Sequence, residues 1–205
     1  MGSKYKNCNH VYNKEDYKMA IILQTKYTLS IGELIIESAK IEEAERIISF
    51  IKEVENETEF LMREPGEFDM SIEDEIKFIE SKINNDKEIF LTAKINGDIV
   101  GTLGFSTSPL KRYQHRGQFG ISILKKFWNY GIGSKLIETM INWADSNNFL
   151  KICLEVDSNN EKAIKLYQKF GFKQEGFLKF DKYLGKGVYV DSIIMSRINM
   201  HNFNE

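Results

Sequence analysis

Apolar and polar positions follow two rhythms along this chain, and the changes between them mark a series of short elements. Residues 1–24 are polar and irregular up to a brief apolar stretch at 19–24. They read as an N-terminal extension, with Met19 as an alternative start. GELIIESA (32–39) reads as a strand. Helical spacing follows twice. Ile41, Ala44, Ile48 and Ile51 share one face of 41–54, and Ile72, Ile76, Ile79 and Ile83 one face of 71–83, where Ser71 stands as the N-cap. Residues 88–106 are two strand-like runs joined at Asn96-Gly97, a strong hairpin signal, and 118–124 alternates as a strand. Ile132, Leu136, Ile137, Met140, Ile141 and Ala144 make one stripe, which predicts a helix over 131–146. In the strand expected at 151–156, Ile152, Leu154 and Val156 face one way, Cys153 and Glu155 the other. A helix over 159–170 ends at Gly171, and strands at about 172–180 and 188–196 flank a glycine-rich turn at 185–187. The order predicts a mixed α/β sheet in a single domain, 25–205, behind the extension.

Composition narrows the function classes. With 42% hydrophobic and 28% charged residues the 205-residue chain has an ordinary globular make-up. A net charge of −2 gives no case for nucleic-acid binding. Cys8 and Cys153 are too few for a disulfide framework, and with three histidines they offer no metal-ligand spacing. No apolar run is long enough to cross a membrane, and the N-terminus lacks a signal peptide's apolar core, so a cytoplasmic protein is expected.

KKFWNYGIGSKLIETM (125–140) tightens at Gly131 and Gly133 where the helix should begin. A helix start offers unpaired N–H groups and partial positive charge, so it suits an anion. A dinucleotide fingerprint needs a third glycine where Leu136 stands, and a P-loop needs Lys directly after its last glycine, where Ser134 stands. What remains is a Gly-x-Gly that either makes a simple turn or lets a ligand approach the backbone. Lys111, Arg112, Arg116, Lys125 and Lys126 lie within 111–126 with no acid among them. Seven lysines, Lys169 among them, stand between 162 and 186 against Glu175 and Asp181. They form either a rim that attracts an anion or a solvated face.

ISILKKFWNYGIGSKLI and LEVDSNNEKAIKLYQKFGFKQEG together resemble the GCN5-related N-acetyltransferase (GNAT) family, over about residues 33–198 and most specifically over 119–177. The resemblance implies a mostly antiparallel central sheet flanked by helices, with an acyl-coenzyme A bound where the central strands splay. It implies direct transfer of acetyl from acetyl-CoA to a primary amine, a small molecule or a protein N-terminus or lysine, in a ternary complex without a metal. The cofactor site it implies comprises Ile121, Ser122 and Ile123 on the strand, Trp128, Asn129, Tyr130, Gly131, Ile132, Gly133 and Ser134 at the helix start, and Asn160 and Lys169 beyond. Trp128 departs from the family's Arg or Gln at its position and removes one polar side chain from the pyrophosphate site.

An amine attacks a thioester only when neutral, so the site needs a proton acceptor, oxyanion donors and a donor for the departing thiolate. The resemblance assigns the oxyanion to backbone N–H groups around 121–123 and the thiolate donor to Tyr167, whose spacing alone fits a core residue equally well. It assigns the base to Glu155, as in ribosomal-protein N-terminal acetyltransferases, with a water chain as the alternative. Asn160 contacts the pantetheine arm, caps its helix, or both. On the acceptor side, 53–80 carries eleven acids against Arg63 and Lys77: a rim for a cationic amine, or two solvated helix faces. TEFLMREPGEF (58–68) is the expected acceptor loop, and His115 is a lone histidine. A non-catalytic acyl-CoA sensor is the competing reading, and a homodimer is the family's habit.

Overall fold

The computed structural model describes residues 20–203. Eight strands form one sheet: β1 Thr25–Leu29, β2 Gly32–Ser38, β3 Ile89–Ile95, β4 Asp98–Thr107, β5 Arg116–Ile123, β6 Lys151–Asp157, β7 Lys173–Tyr183 and β8 Tyr189–Ile198. Their order is β1-β2-β3-β4-β5-β6-β8-β7. Every neighbouring pair is antiparallel except β5–β6. Helices α1 Ala44–Glu55 and α2 Ile72–Ile83 cover one face, α3 Ile132–Ser146 and α4 Glu161–Lys169 the other. This is the mixed, mostly antiparallel architecture expected from the sequence.

The apolar stripes decide which helix face is buried. On α3, Ile132, Leu136, Ile137, Met140, Ile141 and Ala144 are all buried, as the spacing predicts, against β3, β4 and β6. On α1, Ala44 and Ile48 are buried as expected and Ile51 packs against the core, while Ile47, Phe50 and Val54 widen the buried face. Ile41 lies in a 3-10 turn before the helix and is exposed, because α1 starts three residues later than its periodicity suggests. Ser71 caps α2 by accepting from the Asp74 N–H at 3.1 Å.

Two further differences lie at the N-terminus. β1 was not foreseen; its Tyr27 and Leu29 pack toward α3, and the Tyr27 hydroxyl meets Thr139 Oγ1 at 3.2 Å. Most of the expected extension, with Met19 and Cys8, lies outside the described residues. Ala20 is nevertheless buried in the core, and Ile22 exchanges hydrogen bonds with Ser38, so the folded unit begins before residue 25.

A buried ion cluster ties α1 to the sheet. Lys94 on β3, only 6% exposed, reaches Glu37 at 2.7 Å and also pairs with Glu43. Glu43 in turn accepts from the Lys40 N–H at 3.3 Å. Burial alone would raise the Glu37 carboxyl, but the hydrogen bonds and charges of Lys94 and Lys40 outweigh it and hold its pKa below the usual value. Its contribution to stability is therefore present above the unfolded pKa and lost as pH falls through the folded one. Lys94→Met strips the shared cation from buried carboxylates, and urea unfolding should show a loss of about 3–5 kcal/mol at neutral pH. The deficit should shrink as the solution is acidified below the ordinary glutamate range, where the carboxylates neutralise.

Candidate active site

The sheet opens between β5 and β6. The two strands pair only over Arg116–Gln118 and Lys151–Cys153, then part. From Phe119 to Ile123, β5 is hydrogen-bonded to β4 on one side and has no strand on the other. A cleft of ≈ 2020 Å³ runs through this opening. Ile121, Ser122 and Ile123, expected at the cofactor site, line it.

The turn at the head of α3 forms a second wall. Gly131 is the N-cap at φ 91°, ψ 0°, left-handed backbone that favours glycine, and Asn129 is left-handed too at φ 67°. The N–H groups of residues 129–134 make no hydrogen bond with any described residue; the first helical bond is Lys135 N–H to Gly131 O. Gly133 has a different reason for lacking a side chain. A Cβ there would lie 3.2 Å from both Ile123 Cδ1 and Leu166 Cδ2, so its smallness serves the packing of α3 on β5 and α4. Trp128 spends its indole N–H on the Ile123 carbonyl at 2.7 Å, pinning the end of β5 to the turn. Trp128, Asn129, Gly131, Ile132, Gly133 and Ser134 all line the cleft, whereas Tyr130 does not.

β6 and α4 form the third wall. Leu154 and Val156 are buried on the α3 side, and Cys153, Glu155 and Asp157 face the cleft, as the alternation requires. Glu155 is exposed there. Tyr167 is 7% exposed, with Phe119 and Phe172 edge-on at 5.8 and 6.0 Å. Its hydroxyl has no hydrogen-bond partner among the described residues, and burial pushes its pKa up to about 12, so it stays protonated. Burial likewise raises the Cys153 thiol, which makes it a poorer nucleophile. Asn160 Oδ1 caps α4 through the Ala163 N–H at 3.2 Å, and its amide NH2 group is left unbonded at the cleft. Lys169 is exposed on the lining without an ion pair among the described residues. His115 lies off the lining; its carbonyl accepts from Leu150 and Lys151 and starts β6.

Across from these walls the lining comes from the α1–α2 connection: Thr58, Phe60, Leu61, Met62, Arg63, Phe68, Met70 and, on α2, Glu75 and Phe78. Much of the charge that looks like a rim in sequence is spent internally. Glu57 accepts from the Lys125 N–H at 2.6 Å and Glu53 meets Lys126 at 3.2 Å. Glu64 and Glu67 are exposed and off the lining. Glu75 is 2% exposed. The sequence reading counted it only as one of many acids, because a lone charged position near an N-cap looks like a solvated helix start. Among the described residues no group of His, Cys, Asp and Glu is placed to hold a metal, and no helix is long and apolar enough to cross a membrane.

Residues 49–172, more than half of the chain, match the Acetyltransferase (GNAT) family. The chain is 39% identical over 112 residues to the L-amino acid N-acetyltransferase AaaT of Escherichia coli K12, a match covering 53% of this chain and 67% of that one. The crystal structure of a GNAT-family acetyltransferase from Streptococcus pneumoniae superposes with a TM-score of 0.79 at 31% identity, covering 81% of this chain and 99% of the other. The fold also matches yncA of Salmonella typhimurium, determined with its cofactor acetyl-CoA, at 15% identity and a TM-score of 0.69 over 80% of this chain and 93% of that one. Sequence, fold and relatives agree: the chain belongs to the GNAT family and is an acetyltransferase.

Proposed function

We propose that this protein transfers acetyl from acetyl-CoA to a primary amine by direct attack within a ternary complex at the β5–β6 opening, as a single-domain cytoplasmic enzyme. One observation carries the reading. Backbone donors left bare at residues 129 and 131–134 and along the open edge of β5 front the same cleft as the unbonded Tyr167 hydroxyl. The pyrophosphate of acetyl-CoA takes the α3 N-terminus, where N–H groups and helix dipole act together. Asn160, through its free amide, and Lys169 flank the pantetheine and phosphate ends, and Tyr130 stands outside the contact set. The non-catalytic reading drew on Trp128, but its side chain is spent within the loop and the backbone donors remain.

Acetyl-CoA supplies the activated acyl group; the chain's own residues handle charge and protons. The open edge of β5 offers N–H groups to the developing oxyanion. Glu155, directly or through water, takes the proton from the attacking amine. Tyr167 donates a hydrogen bond to the departing sulfur. Its pKa of about 12 lies well above that of an ordinary thiol, so full transfer of its proton to the thiolate is uphill by roughly 5 kcal/mol. Its contribution is stabilisation of the leaving thiolate, which then takes a proton from solvent. A small-molecule amine is the favoured acceptor class, supported by the relative that acts on L-amino acids.

Release of CoA thiol over a panel of amines tests the activity itself. Gly131→Ala forces a left-handed backbone on a residue with a Cβ, at about 1–2 kcal/mol. Calorimetry should find acetyl-CoA bound about tenfold more weakly, with the far-ultraviolet dichroism unchanged. Tyr167→Phe keeps the ring and its packing. Turnover should fall about a hundredfold with acetyl-CoA affinity intact; single-turnover rates equal to wild type would remove Tyr167 from the chemistry. Glu155→Gln should lose most activity near neutral pH and regain part of it as pH approaches the amine's own pKa, where the acceptor arrives neutral. An unchanged pH profile would leave water as the base.

A further inference from the structure

The wall opposite the sheet holds two buried acids with different fates. Glu55, at the end of α1, has an ion pair with Arg63, whose Nε lies 2.7 Å from Oε1, while its Oε2 has no partner among the described residues. Glu75, in the first turn of α2, faces the cleft at 2% exposure and makes no side-chain hydrogen bond or ion pair with any described residue. Two cations of the cleft lining, one on the same connection and one on β7, are committed. Arg63 lies on Glu55 and 4.9 Å over the Phe68 ring, and Lys182 pairs with Asp157 and donates to the Glu59 carbonyl at 2.8 Å. The helix start favours a carboxylate by at most about 2 kcal/mol, against several for burying the charge. Protonation does not resolve the matter. Burial does raise the Glu75 carboxyl, yet a carboxylic acid brings an O–H that needs an acceptor, and Glu75 makes no side-chain hydrogen bond with any described residue. In either state the missing partner has to come from what occupies the cleft.

That partner is not the amine that reacts. A carboxylate beside an amine favours its protonated form, and an ammonium cannot attack a thioester. Resting on the acetyltransfer reading above, we propose that Glu75 selects the acceptor by pairing with a second cationic group on it. The substrate class is then a diamine, or a basic amine with an apolar spacer, in preference to a monoamine or a neutral amino acid. Phe68, Met70 and Phe78 on the same wall supply an apolar surface for the spacer.

Matched pairs test this: 1,5-diaminopentane against 1-aminopentane, and 1,4-diaminobutane against 1-aminobutane, with L-methionine as the neutral amino acid, each followed by CoA thiol release. Wild type should favour the better diamine in kcat/KM by about thirtyfold or more over its monoamine and over L-methionine. Glu75→Gln should erase the preference through the diamine KM, leaving monoamine turnover and acetyl-CoA affinity near wild type; Glu75→Asp, which keeps the charge, should retain part of it. The melting temperature of Glu75→Gln should not fall, since that substitution keeps the volume and removes an unpartnered charge. Equal kcat/KM for diamine and monoamine in wild type, a preference for L-methionine, or a diamine preference that survives Glu75→Gln would each overturn the assignment while leaving the acetyltransferase reading intact. If no amine in the panel is turned over, that reading fails instead. Calorimetric binding of 1,5-diaminopentane to wild type but not to Glu75→Gln then decides the role of Glu75 separately, and absence of binding to both overturns it.

Discussion

The short pairing of β5 with β6 is the constraint on which the rest depends. Buried backbone N–H and C=O groups need partners, so a central strand with one bare edge is costly unless something else meets that edge. Here the strands hold together at Gly117–Ile152 and separate within a few residues. Gly117 makes the join possible: a Cβ there would sit 2.0 Å from the Phe105 ring, which packs with Trp143 and Phe149 under the apex. Beyond the join, Phe119, Tyr167 and Phe172 occupy the space between strands with ring separations of 5.7–6.0 Å. Aromatic packing replaces ladder hydrogen bonds on one face of the opening, and the other face is left for a ligand.

The charges that surround this opening act mainly as ties. At the basic bend before α3, the Lys125 backbone N–H donates to Glu57 just after α1, and the Lys126 ammonium pairs with Glu53 near its end. Arg63 returns the α1–α2 connection to Glu55, and Lys182 joins the β7–β8 hairpin to Asp157 on β6 and to the Glu59 carbonyl. Each exposed pair is individually weak. Together they fix the loop of the acceptor wall to the strand and the turn that flank the opening, so the wall facing β5 is held from both ends.

Much of this was legible in the chain. The stripe from Ile132 to Ala144, the alternation of Ile152, Leu154 and Val156, the Ser71 cap and the Asn96-Gly97 turn report local geometry, and local geometry is what periodicity encodes. β1 escaped because a five-residue edge strand with only Tyr27 and Leu29 turned inward carries too few apolar positions to show a period. The roles of Gly133 and Trp128 escaped for another reason. Each is set by a neighbour brought close by the fold, Leu166 for one and the Ile123 carbonyl for the other. The acids of 53–80 were countable but not sortable, since whether a carboxylate meets lysine, water or nothing depends on which helix face reaches the sheet.

Sorting them is also what separates the frame from the site. A buried donor or acceptor left alone costs about 1–3 kcal/mol, and a protein of marginal stability carries few such groups without cause. Most polar side chains around this opening already have partners: the indole of Trp128, Arg63, Asp157, Lys182, the carbonyl oxygen of Asn160. Among those that do not, the N–H groups of 129 and 131–134, the Tyr167 hydroxyl, the Asn160 amide and Glu75 front the cleft, while Glu55 Oε2 and Thr92 Oγ1 are buried without a partner away from its lining. Those at the cleft come from a turn, two different helices and a helix cap far apart in sequence, and share only the cleft. A single occupant of the cleft, or two meeting there, satisfies all of those that front it.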